Sequence, residues 1–110
     1  MSTQAVYVYI LHVPTIVVEA MKELCAGLEE EGVPYVLEQA RGPDDGIFLA
    51  AQAAASSPLQ VGIGIDQTGH VYVQHEQLHQ KTPYLHGTLQ HGRTAGKNAA
   101  RLVKGLTLIV

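Results

Sequence analysis

Five of the six histidines, His70, His75, His79, His86 and His91, lie between positions 70 and 91, and imidazole is the commonest metal-ligating side chain. A metal site needs three or four of them to converge in fixed geometry. His75 and His79 are four apart, the spacing of one helix face. The intervening Glu76-Gln77-Leu78 is too short to promise a helix, and the neighbours are Gln, Thr and Gly. A polar hairpin and loop account for the cluster more simply. Gly92-Arg93-Thr94-Ala95-Gly96-Lys97-Asn98 has the outline of a phosphate loop, but three residues separate its glycines instead of four. Asn98 also stands where a magnesium-binding hydroxyl is required. Gly62-x-Gly64 lacks a third glycine and falls inside a strand pattern. Cys25 sits on an apolar helix face beside Met21 and Leu28, the setting of a buried, inert thiol. Ser56 and Ser57 precede Pro58 at a helix end, with no nucleophile-elbow motif around them. These patterns predict no catalytic residue.

Glu29-Glu30-Glu31 is the most anomalous group. It closes a helix, where the macrodipole disfavours negative charge, and its three carboxylates repel one another. The residue-level reading is a solvated helix end; the functional alternative is a contact with a cation or a basic partner.

The elements that must position these groups follow from periodicity. Ala5 to Leu11 reads as a buried first strand. After Pro14, Ile16, Ala20, Leu24 and Leu28 repeat every four residues with Val17 and Met21 beside them, predicting a helix that stops at Gly32. Val33 to Leu37 reads as a second strand with Pro34 at its start. Arg41 to Gly46 is a turn cluster leading into an Ala-rich helix over Ile47 to Ala55, whose small side chains suit close packing on a sheet. Leu59 to Ile65 is apolar or Gly on both faces, hence a central strand. Asp66-Gln67-Thr68-Gly69 is a hairpin turn, so Val71-Tyr72-Val73 should run antiparallel to it. Pro83-Tyr84-Leu85 is a weaker strand. Ala95, Ala99, Leu102, Val103 and Leu106 mark a last helix, and Leu106 to Val110 a closing strand. The order β-α-β-α-β-β-(β)-α-β predicts a three-layer α/β/α fold over residues 1–110 as one domain, with a mixed, mostly parallel sheet containing one antiparallel strand.

Composition agrees. The chain has 110 residues, 46% hydrophobic and 15% charged, which is globular. With no Trp and Phe48 the one Phe, the core must be aliphatic. The formal net charge is -3, and the basic stripe Arg93, Lys97, Arg101 and Lys104 has no interleaved aromatics, so no nucleic-acid partner is expected. No apolar run reaches the roughly 20 residues of a membrane span. A single cysteine excludes an internal disulfide. The N-terminus carries no signal-peptide pattern, so a cytoplasmic location is expected.

Three segments carry a family likeness. Gly27-Leu28-Glu29-Glu30-Glu31-Gly32-Val33-Pro34, Ser56-Ser57-Pro58-Leu59-Gln60-Val61-Gly62-Ile63, and Arg93-x-x-Gly96-Lys97-Asn98-Ala99-Ala100-Arg101-Leu102-Val103-Lys104 resemble the dehydratase medium-subunit family. Within it the chain is most similar to the small subunits of reactivating factors for adenosylcobalamin-dependent diol and glycerol dehydratases, over about residues 5 to 106. The resemblance implies an α/β/α fold and a non-catalytic, chaperone-like subunit. Such a subunit pairs with a large ATPase subunit and exchanges places with the dehydratase's medium subunit on the dehydratase large subunit, so that damaged cobalamin leaves. It further implies no cofactor within this chain, but a divalent cation, Mg or Ca, shared with the large subunit at Glu30, a hard oxygen ligand. A homodimer is expected when the subunit is alone, and a bacterial microcompartment is an expected setting.

Two other readings stand beside this one: a structural medium subunit of the dehydratase itself, which in the family carries long additions at both ends, and a His-rich metal-binding module. The segment from His75 to His91 matches the reactivating factors least and is a candidate for partner choice.

Overall fold

The computed structural model describes residues 6–42, 45–78 and 83–106. Its elements are β1 (Val8–His12), a 3-10 turn (Val18–Met21) running into α1 (Lys22–Glu30), β2 (Tyr35–Gln39), α2 (Gly46–Ser56), β3 (Val61–Ile65), β4 (His70–His75), β5 (Leu85–Thr88), a 3-10 turn (Leu89–His91) and α3 (Gly92–Lys104). The sheet order is β2-β1-β3-β4-β5. β1 pairs in parallel with both β2 and β3, while β4 is antiparallel to β3 and to β5. Only β4 therefore runs against the other four, as the turn at Asp66 to Gly69 predicted.

Handedness fixes the layers. β2 and β3 lie on opposite sides of β1, so two right-handed crossovers put α1 and α2 on opposite faces of the sheet. α3 returns beside α1. The larger core is then Val8, Ile10, Val61, Ile63, Ile65, Val71 and Val73 from the sheet against Met21, Leu24, Leu28, Ala99 and Ala100 from the helices. A smaller cluster of Val13, Ala40 and Leu49 lies by the carboxyl ends of β1 and β2.

α2 closes the second face by removing side chains. Gly62 and Gly64 point at it, and α2 answers with Ala50, Ala53 and Ala54, all buried. A Cβ on Gly62 would stand 2.6 Å from the Ala53 Cβ, and one on Gly64 would stand 3.0 Å from the Ala50 Cα. The Gly-x-Gly pattern is thus a helix-approach device. Asp45 caps α2, its carboxylate accepting from Ile47 N at 3.0 Å. At the other end Ser57 donates to Tyr7 O at 2.6 Å and accepts from Leu59 N at 3.1 Å, tying the start of β1 to the α2–β3 turn.

Three boundaries differ from expectation. The helix expected after Pro14 begins only at Lys22; Val18–Met21 is a 3-10 turn, Ile16 and Val17 precede it, and Val17 and Ala20, expected on the apolar face, are exposed. β2 begins at Tyr35, because Val33 is spent on ending α1. Gly32 is left-handed (φ 72°), its N–H reaches Glu29 O, and the Val33 N–H reaches Leu28 O, each at 3.0 Å. This is a Schellman cap with Val33 packed on the same core as Leu28. The weak strand expected over Pro83 to Leu85 runs instead over Leu85–Thr88; Pro83 lacks a donor, and ladder bonding begins with Tyr84 N to Val73 O at 2.8 Å. The closing strand expected over Leu106 to Val110 lies, apart from Leu106, outside the described residues.

Candidate functional site

α1 turns Leu24, Cys25 and Leu28 inward and leaves Glu23 and Glu30 on its outer side. On α3, Arg93, Lys97 and Arg101 recur every four residues and Lys104 follows three later, so the four share one stripe. The two helices meet almost backbone to backbone. A Cβ on Gly27 would stand 2.8 Å from Lys97 N, and one on Gly96 would stand 3.1 Å from Gly27 Cα. Gly92 and Gly96, the glycines of the apparent phosphate loop, are therefore contact points between helices.

That approach brings the acidic and basic stripes together. Arg93 forks onto Glu23, Nε to Oε1 at 2.9 Å and Nη2 to Oε2 at 3.2 Å. Its Nη1 donates to Glu30, whose other oxygen lies 2.9 Å from Lys97 Nζ. Lys104 Nζ donates to the Glu31 carbonyl at 2.7 Å and lies 3.3 Å from its carboxylate, and Arg101 Nη2 stands 3.8 Å from the same group. Glu29 accepts from the Tyr35 hydroxyl at 2.7 Å. Lys104 satisfies a terminal carbonyl of α1, and α3 supplies the positive charge that the helix end lacks locally.

The electrostatics follow. The Lys97 ammonium bonded to Glu30, with Arg93 beside it, holds the Glu30 carboxyl below its usual range. Glu23 raises Arg93. The bond to Glu29 pushes Tyr35 well up. Burial raises the Cys25 thiol, against the interaction with Tyr35 and with help from the Glu29 charge, so the thiolate needed for nucleophilic chemistry is disfavoured.

Glu30 keeps 40% of its side chain exposed while holding two cationic partners. Its donor chemistry suits a hard cation, but among the described residues no three His, Cys, Asp or Glu side chains gather to hold a metal. A cation at Glu30 would take its other ligands from a partner surface and would compete with Arg93 and Lys97 for the carboxylate.

Among the described residues the histidines are dispersed, apart from His86 and His91. His70 Nδ1 lies 2.7 Å from Thr68 Oγ1 within the turn built on Asp66. His75 ends β4, where its Nδ1 accepts from Gln77 N at 3.1 Å. His86 stacks on Tyr72 across the β4–β5 pair, with ring centroids 6.1 Å apart. His86 and His91 border a hollow of about 200 Å³ between that pair and α3. His79 lies outside the described residues. His12, which stands apart from the cluster in sequence, is buried at the end of β1 with Nδ1 3.0 Å from Val13 O.

Sequence reasoning singled out Glu30 and, separately, the basic stripe on α3. It did not pair them. The available signal was the four-residue spacing of Arg93, Lys97 and Arg101, whose span is matched on the first helix by the stretch from Glu23 to Glu31.

Residues 5–108 match the family model described as dehydratase medium subunit. The chain is 43% identical over 88 residues to a propanediol dehydratase-reactivating factor small subunit of Salmonella typhimurium, covering 76% of this chain and 74% of that one. It is 40% identical over 90 residues to a probable glycerol dehydratase-reactivating factor small subunit of Citrobacter freundii, covering 78% and 77%. Among solved structures, a glycerol dehydratase reactivase chain superposes with a TM-score of 0.91 at 39% identity, covering 96% of this chain and 98% of the other. A chain of a diol dehydratase-reactivating factor complexed with ADP and Mg2+ superposes at 0.87 and 32% identity, covering 97% and 100%. With the family model matched over residues 5–108 and relatives at 40% and 43% identity over most of both chains, the chain belongs to the dehydratase medium-subunit family.

Proposed function

We propose that this chain is the small subunit of a reactivating factor for an adenosylcobalamin-dependent diol or glycerol dehydratase. The observation that carries the reading is the likeness to reactivating-factor small subunits over most of both chains, in sequence and in fold alike. The subunit acts by docking: it pairs with a large subunit that hydrolyses ATP, takes the place of the dehydratase's medium subunit on the dehydratase large subunit, and so opens a path for damaged cobalamin to leave. It performs no chemistry itself. Its setting is the cytoplasm, in association with a bacterial microcompartment, and alone it self-associates as a homodimer.

The α1–α3 face suits docking on physical grounds. Exposed ion pairs contribute little net stability and are readily exchanged for pairs with another surface. Glu30 is the side chain that passes from Arg93 and Lys97 to a divalent cation, Mg or Ca, shared with the large subunit.

Co-expression with a reactivating-factor large subunit, followed by a cobalamin-release assay on inactivated dehydratase, tests the function. Release requiring both subunits and ATP is expected; release by the large subunit alone overturns it. For the cation, Glu30→Ala should weaken large-subunit binding in the presence of Mg2+ or Ca2+ and leave binding in chelator unchanged. Equal binding by variant and wild type in metal would dispose of that role.

A further inference from the structure

At β2 the three-layer packing stops short. α2 lies over β3, β1 and β4, leaving a hollow of about 370 Å³ beside β2 with Tyr9, Leu11 and Glu38 on the sheet side and Phe48 and Gln52 on the helix side. On the opposite face a second hollow of about 390 Å³ separates β2 from α1, bordered by Val18, Cys25, Tyr35 and Leu37. Exposed apolar side chains collect around the same strand: Val18 at 65%, Val36 at 40% and Phe48 at 55%.

The backbone of β2 is half paired. Val8 N bonds to Pro34 O at 2.9 Å and Ala40 N to His12 O at 2.7 Å, so parallel pairing turns the even positions toward β1. Tyr35, Leu37 and Gln39 then direct their N–H and C=O groups outward, and no strand among the described residues receives them. Edge strands are commonly guarded by lysine, proline or a bulge. Tyr35–Gln39 contains neither residue type, its register with β1 is unbroken, and its one charge is Glu38.

The geometry points to β2 as the surface on which a second copy of this chain docks, the two β2 strands pairing antiparallel about a two-fold axis at Leu37. The inference deepens the self-association proposed above, rests on it, and assigns its surface. Antiparallel pairing between two outward edges must set outward positions against one another. The register centred on Leu37 does so over the whole strand, with Tyr35 opposite Gln39, Leu37 opposite itself and Val36 opposite Glu38. It is free of like-charge contacts, whereas a register centred on Glu38 would oppose two carboxylates. The strand is thus complementary to itself, as a two-fold interface requires. Because one hollow flanks β2 on each face, the pairing sets each hollow beside its symmetry mate, where the exposed Phe48 and Val18 side chains of the two copies border shared apolar space.

Analytical ultracentrifugation over a concentration series tests the pairing and its register. Val36→Glu sets a carboxylate opposite Glu38 of the second copy at two symmetric places and should raise the dimer dissociation constant about tenfold. Adding Glu38→Lys converts both contacts to opposite charges and should restore dimerisation. In wild-type dimer, the amides of Tyr35, Leu37 and Gln39 should be protected from hydrogen exchange, a readout that needs no variant. A dimer indifferent to Val36→Glu, or one whose three amides exchange freely, overturns the β2 surface and leaves self-association standing. A wild-type chain monomeric at every concentration overturns both.

Discussion

The two faces of the sheet are closed by opposite means. Over β3, α2 approaches because side chains are missing: Gly62 and Gly64 meet Ala50, Ala53 and Ala54, and all five are buried. On the other face α1 and α3 cover a core of large aliphatic residues, and their outer seam is fastened by ion pairs reaching from Glu23 to Lys104. The first contact is steric and tolerates no added atom. The second is electrostatic at its rim and exposed to water, salt and partners. A docking subunit needs both, a rigid frame and a surface whose pairings can be exchanged at little cost.

The sharpest way to break the contrast is on the steric side. Gly64→Val would place side-chain carbon against Ala50 and the backbone of Gly46. It should cost at least about 3 kcal/mol, beyond ordinary overpacking because backbone is struck. Urea denaturation of whatever soluble protein forms measures it; a loss under about 1 kcal/mol would mean that α2 can slide. The corner at Ser57 comes next. Ser57→Ala removes a buried hydroxyl that donates to Tyr7 O and accepts from Leu59 N, leaving both backbone groups short of a partner, and should cost about 1–2 kcal/mol in the same assay.

The smallest effect belongs to the ion-paired seam. Arg93→Ala should lower the unfolding midpoint less than either change above, and the difference should shrink in high salt. The pH dependence has a fixed sign. Since the folded-state pKa of Glu30 is depressed, its contribution is present above the unfolded value of roughly 4.3 and is lost as pH falls through the folded value. Acid titration of wild type against Glu30→Gln should therefore show the two converging below about pH 4. A wild-type advantage that grows in acid would contradict the assigned pairing.

Much of the frame was legible because its causes are local. Apolar spacing announced the Leu24 and Leu28 half of α1 but not its late start at Lys22, Gly32 marked its end, and the Asp66-to-Gly69 turn the reversal into β4. The small residues of α2 declared a close approach before the sheet it approaches was known. Boundaries shifted where cap bonding claimed a residue, as when the end of α1 took Val33 from β2. The seam was hidden for a related reason. Glu30 and Lys97 are strangers in sequence, and a charge misfit judged within one helix is resolved by another helix. The open edge of β2 was invisible too, since Tyr35 to Gln39 reads like any strand and only its place in the sheet leaves one side free.

The distance along the chain between α1 and α3 has a consequence for synthesis. Glu30 is made 63 residues before Arg93, so at about 5–20 residues per second a ribosome leaves the Leu24 and Leu28 face of α1 without its covering helix for roughly 3–13 s. Over that interval Glu23, Glu29, Glu30 and Glu31 have no basic counterpart on α3, and their mutual repulsion discourages nascent chains on one message from sticking together. The carboxylates that meet α3 in the finished fold are thus a block of unpaired negative charge until α3 is made.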